Sequence, residues 1–262
     1  MPWIEPEFVA IEPGTDTVRS RLDLDTLNNL ELSFHHLGKR RFPAVCQIEE
    51  ARQTLPGLLN TFPETKNRYP KITSLRKVRF FSPISAATVK ATCVFFLLDD
   101  TRNAAFTIRV GERLTAEGTM EFALVGTTSP QPPPGFRLIS RESDVDKEIY
   151  KVTAEYDYTG EEILDLSELT HLPETLVLEA MVRGAIQIRE GKSEYTKEIF
   201  WFTGIESAEF LEPIPKEGKL DLLANIEAEE KRGLARCWAL YAGKTVAQAT
   251  ITFAITRGKA IS

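Results

Sequence analysis

Cysteine and histidine are scarce in this chain, three of each in 262 residues. Cys46, Cys93 and Cys237 are far apart, odd in number and form no CxxC pair. That pattern excludes a disulfide framework and leaves the thiols as small hydrophobes. His171 lies remote from His35 and His36, and no HxxxH spacing occurs, so neither a metal site nor a cofactor is expected. No unbroken apolar run reaches the length of a membrane-crossing helix. The opening stretch MPWIEPEFVAIEPG carries acids and prolines where a secretory leader has a basic start and an apolar centre. The expected compartment is therefore cytoplasmic, with no membrane partner. An excess of positive charge is missing as well: the formal net charge is −6, with 27% charged and 42% hydrophobic residues. This is a globular composition with no sign of a nucleic-acid partner.

What the sequence does contain is a repeat. The length admits either one large domain or two packed units of about 130 residues each. Pro43 and Pro173, Glu49 and Glu179, Thr73 and Thr203, Phe80 and Phe210, Pro83 and Pro213, and Ile84 and Ile214 each stand 130 positions apart. One register held from a helix start to a strand some forty residues later points to internal duplication. VRFFSPI answers AEFLEPI, and GTMEFAL answers ATITFAI after a small shift.

Each half reads in the same order. A short strand (EFVAIE, then FRLISRE) precedes a polar stretch and a helix opening at proline, a favoured first helical residue. In the second half Leu176, Val177, Ala180, Met181, Ala185 and Ile186 make that helix apolar nearly all round, which predicts deep burial. In the first half Pro56-Gly57 is expected to end it early, and Glu49, beside Glu50 on a more polar helix, is expected at the surface. Strand-like segments with period-two patches follow. The stretch TTSPQPPPG forbids regular structure and marks a linker. The predicted class is α+β: two tandem units, each an antiparallel sheet wrapped around one long central helix. The expected boundaries are 1–125 for the first unit, 126–135 for the Pro-rich linker and 136–262 for the second.

That arrangement is the hotdog fold, and LPETLVLEAMVRGA, with FTGIESAEFLEPIPKEGKL and KTVAQATITFAI after it, resembles the β-hydroxyacyl-acyl-carrier-protein dehydratase family. The likeness covers nearly the whole second half. It implies a double hotdog in which a pseudo-two-fold axis replaces the family's dimer axis, so that one chain, or an assembly of such units, is active. The family places a catalytic histidine in a His-Phe-x-Gly loop, eight residues before the helix proline and fourteen before the helix acid. Counting back from Pro43 gives His35, with Gly38 at the motif's glycine, and counting forward from His35 gives Glu49. The same count from Pro173 gives Asp165 in place of a histidine. Because family members work across the two-fold, the resemblance pairs His35 with Glu179 in one live site. It leaves Glu49 with Asp165 in a degenerate one.

The implied chemistry is reversible dehydration of a 3-hydroxyacyl thioester to the 2-enoyl thioester, in a fatty-acid or polyketide-like pathway. Imidazole, with a pKa near 6.5, suits removal of the proton next to the carbonyl, and a buried Glu179 suits protonation of the leaving hydroxyl. The developing enolate needs backbone donors at the helix start. There the family has glycine, and this chain has Ala44 in the first half and Glu174 in the second, with Gly38 in the preceding loop. The basic run Lys39, Arg40, Arg41, with Arg76, Lys77 and Arg79 further on, is either a solvated face or a landing site for an acyl carrier protein or the phosphates of coenzyme A. His36 is expected to pack and His171 to be structural. Two other functions fit the same fold: a non-catalytic acyl-binding or scaffolding protein, and an acyl-thioesterase using a carboxylate and water.

Overall fold

The computed structural model describes residues 7–11, 17–23, 29–31, 34–36, 39–41, 44–59, 63–65, 68–82, 90–98, 102–126, 140–146, 151–157, 163–165, 171–192, 198–215 and 217–257. The first half contributes β1 (Glu7–Ile11), β2 (Thr17–Asp23), β3 (Asn29–Glu31), β4 (Phe34–His36), β5 (Lys39–Arg41) and α1 (Ala44–Leu59). It continues with β6 (Arg68–Phe80), β7 (Lys90–Leu97), β8 (Asn103–Val110) and β9 (Arg113–Gly126). The second half follows as β10 (Ser140–Asp146), β11 (Lys151–Asp157), β12 (Ile163–Asp165), α2 (Glu174–Lys192), β13 (Glu198–Phe210), β14 (Lys219–Ala228), β15 (Arg232–Tyr241) and β16 (Lys244–Arg257). Most of the linker predicted at 126–135 lies outside the described residues.

Alternation in the sequence makes the strands. In β14, Leu220, Leu222, Ala224 and Ile226 are buried and their neighbours less so, as period two requires of a sheet with one covered face. Twelve strands form one sheet in the order β1-β2-β14-β15-β16-β13-β6-β9-β8-β7-β11-β10. From the central β13–β6 pair the order runs outward in the same way on both sides, ending in a hairpin. Those hairpins are exchanged with respect to chain order. β2 pairs with β14, so Leu22 faces Leu220, and β11 pairs with β7, so Ala154 faces Cys93.

Both helices lie against this sheet and touch each other. α1 packs on β6, β7, β8, β10 and β11, and α2 on β1, β2, β13, β14, β15 and β16. The buried side chains of both halves make one continuous core, from Ile48 and Phe106 to Leu176 and Ile251. The expected early stop in α1 does not occur, because the helix runs through Pro56 to Leu59. An interior proline costs about 3 kcal/mol. Leu55 and Leu59 are fully buried on either side of it, and burial of two leucines is worth roughly 1.5–3 kcal/mol each. That is enough to hold the last turn. The register between β6 and β9 shifts between Arg76 and Arg79, with Lys77 at a φ of 51°. This bulge puts both Arg76 and Lys77 on the exposed face.

Candidate active site

The two acids found by the repeat are both buried, Glu49 at 0% and Glu179 at 3% exposure. Glu49 is therefore not the surface residue its neighbour Glu50 suggested. Val45, Cys46 and Ile48 enclose the same turns of α1, and a carboxylate in such surroundings needs partners. It has them. Arg52, one turn on, donates from Nε to Oε2 at 2.9 Å and from a second nitrogen to Oε1. Thr175, at the start of α2, donates its hydroxyl to Oε2 at 3.1 Å. The Arg52 guanidinium also lies 4.7 Å from the ring centroid of Tyr69 on β6.

The electrostatics of this cluster follow from its burial. Desolvation pushes Arg52 down, but the charge and hydrogen bonds of Glu49, joined by Tyr69 and Glu174, together outweigh it, and the guanidinium ends above its ordinary range and stays charged. Burial raises the pKa of Tyr69, with Arg52 opposing. It raises that of Glu174 too, again against the pull of Arg52.

Glu179 sits among Leu176, Val177, Leu178, Ala180 and Met181, the apolar wall its proposed role requires. It is not alone there. Arg183, whose side chain is 28% exposed, donates from Nε to Oε1 at 2.9 Å.

The residues predicted around the first helix are seen in backbone only. His35 pairs with Arg40 and His36 with Lys39 in the β4–β5 hairpin, which delivers the chain to α1. The side chains of His35, Lys39, Arg40 and Arg41 lie outside the described residues, as does Gly38. Ala44 is the first residue of α1, where backbone N–H groups have no partner within the helix. Asp165 pairs with Asn29, so the segments leading into the two helices meet through β12 and β3. The helix starts differ in charge. α2 carries Glu174 in its first turn and α1 has no acid there, so only α1 offers an uncompensated positive end.

Of the other predicted groups, His171 is exposed and its backbone bridges to Pro215. Arg76 pairs with Glu121 at 3.4 Å and Arg79 stands opposite Glu117 across the sheet. Arg76 and Arg79 therefore have carboxylates beside them, which weakens their claim to a phosphate. Among the described residues no group of three or more His, Cys, Asp or Glu side chains could hold a metal, and no helix is long and apolar enough to cross a membrane. Sequence reasoning passed over Arg52, Tyr69, Thr175 and Arg183. The i+3 and i+4 spacings of the arginines were there to be read; the contacts of Tyr69 and Thr175 were not.

No family model and no curated protein matches the sequence. Solved structures do. The dehydratase domain from the CurJ module of the curacin polyketide synthase is 11% identical, with 98% of each chain covered and a TM-score of 0.50. An inactive mutant of the CurJ dehydratase, in complex with a compound, is 13% identical over 95% of this chain and 94% of that one, also with a TM-score of 0.50. A protein assigned as an oleoyl thioesterase from Lactobacillus plantarum is 10% identical over 91% of this chain and 95% of its own, with a TM-score of 0.49. At such identities the likeness is one of fold. The chain has a hotdog-like fold of the kind seen in polyketide synthase dehydratase domains.

Proposed function

We propose that this chain is a double hotdog that reversibly dehydrates 3-hydroxyacyl thioesters, at one live site where the loop carrying His35 meets Glu179. The observation that carries this is the Thr175 to Glu49 hydrogen bond. It joins the start of one helix to the acid of the other, the cross-half relation on which the pairing depends. The repeat of 130 supports the mirror relation, Glu179 against the start of α1, the end to which the β4–β5 hairpin leads. Segments 1–125 and 136–262, joined by 126–135, then each supply one helix and lend their leading hairpin to the other's sheet.

In this mechanism His35 takes a proton from the carbon next to the thioester carbonyl. The negative charge moves to the carbonyl oxygen, which accepts from the backbone N–H of Ala44, with Gly38 as the other backbone residue assigned to this role. Glu179 gives its proton to the hydroxyl on the next carbon, which leaves as water, and the C=C bond forms. The second site is degenerate: Glu49 is held by Arg52 and Thr175, Glu174 opposes an anion at the start of α2, and Asp165 supplies no imidazole. Lys39, Arg40 and Arg41 meet the acyl carrier protein or the phosphates of coenzyme A. No cofactor takes part, and one chain in the cytoplasm is the minimal active unit.

The Arg183–Glu179 pair favours a second reading, thioester hydrolysis with Glu179 activating water and no histidine. Assaying hydration, dehydration and hydrolysis on acyl thioesters of graded length, wild type beside His35→Ala, separates the two. Loss of dehydration in the variant supports the first. Hydrolysis that survives without His35 supports the second.

A further inference from the structure

Glu49 has no reacting partner in the mechanism above, yet it is the most completely enclosed charged group among the described residues, at 0% exposure. Its contacts form a chain across the molecule. Tyr69, on the central strand β6, lies under Arg52; Arg52 holds both oxygens of Glu49; and Glu49 accepts the hydroxyl of Thr175. Each link is buried, with Thr175 at 1% and Arg52 and Tyr69 at 6% exposure. Thr175 and Glu179 are four residues apart on α2 and share one face, one turn from each other.

We infer that Thr175, held by the Glu49–Arg52 pair, is a positioning residue for Glu179, fixing the rotation of α2 against α1. This rests on Glu179 being the catalytic acid. A side-chain tip at a radius of roughly 5–6 Å moves about 1 Å for a helix rotation of about 10°, and misplacement by about 1 Å costs on the order of a hundredfold in rate. One buried hydrogen bond at the end of a helix is well placed to prevent that rotation. The device belongs to one half alone. The position 130 before Thr175 is Val45, which has no hydroxyl to offer. The degenerate site thus has a use: its acid, freed from chemistry, anchors the acid that performs it.

The test uses the full chain with Thr175→Val, which keeps the shape and removes the hydroxyl, and Thr175→Ser, which keeps the hydroxyl. The valine variant should lose about ten- to a hundredfold in kcat with KM unchanged, and the serine variant should stay within about twofold of wild type. In parallel, the Glu179 carboxyl resonance is followed by NMR at one fixed pH on protein carrying 13C at the glutamate carboxyls. Its chemical shift, which reports the surroundings of the carboxyl, should move in the valine variant and hold in the serine variant. Unchanged kcat in Thr175→Val, with His35→Ala inactive, would overturn the positioning role and leave the dehydratase standing. Equal loss in both Thr175 variants would overturn it too, since the hydroxyl would not be the cause. If wild type dehydrates no thioester, the proposed function fails. The Glu179 resonance then still tests the helix contact, and one unmoved in Thr175→Val rejects the positioning.

Discussion

Gly204 on β13 approaches the main chain of β6 so closely that a Cβ built on it would stand 2.5 Å from the carbonyl oxygen of Val78. This is the seam at which the two halves of the sheet join, with Gly204 opposite Arg79 and Ile205 opposite Val78. A backbone oxygen cannot swing away as a side chain can, so Gly204→Ala must push the strands apart. Overpacking of this kind costs about 1–3 kcal/mol, read as a lower urea midpoint with an unchanged m-value. Gly126→Ala, where an added Cβ meets nothing within 4 Å, is the control and should be nearly silent.

Removing Glu49 alone should be severe for stability. Glu49→Ala leaves the Arg52 guanidinium buried and unpaired, a loss of about 3–5 kcal/mol. Replacing both partners with apolar side chains of similar volume, Glu49→Leu with Arg52→Met, should recover most of that by urea unfolding. A double variant no better than Glu49→Ala would show that the pair is not the source of the cost.

For activity, His35 and Glu179 should behave as one unit. Positioned proton transfer is worth on the order of a hundred- to ten-thousand-fold. His35→Ala, Glu179→Gln and the double variant should therefore fall by comparable amounts, because paired catalytic groups are far from additive. Asp165→Asn should retain most activity in the same kcat/KM measurement.

Alkaline pH should unfold the protein in a specific window. Burial pushes the Cys237 thiol up from 9.0 to about 12. An unfolded chain releases that proton first, so this contribution to stability is whole below about pH 9 and is lost as pH rises toward 12. The raised pKa of buried Tyr69 adds in the same direction. Urea unfolding between pH 8 and pH 11 should show the decline, and Cys237→Ala should flatten it. The native thiol should also resist alkylation at pH 8 until denaturant is added.

The basic run should matter for the carrier and not for the bond broken. Replacing Lys39, Arg40 and Arg41 by alanine should raise KM for a carrier-linked substrate, more so at low salt, while a short pantetheine analogue is nearly unaffected. Equal loss on both substrates would place the damage in the His35 loop instead.

Elements that depend on near neighbours were legible in the chain. Alternation at Leu220, Leu222, Ala224 and Ile226 was enough for β14, and the apolar run around Leu176 to Ala185 was enough for a buried α2. The offset of 130 also found both buried acids, because a repeat records position even where its surroundings cannot be read. Propensity misjudged Pro56, where the burial of Leu55 and Leu59 outweighs the proline. It misjudged Glu49 as well, since the residues that enclose and pair it come from α1, β6 and α2 together. That the hairpins change sides, β2 to β14 and β11 to β7, emerges first in the assembled fold. The reason is physical: an antiparallel ladder is made of main-chain hydrogen bonds that are the same for every sequence, so a strand carries its own pleat but not the identity of its partner. That identity is fixed by which side chains share a core, and a core exists only when the whole chain has come together.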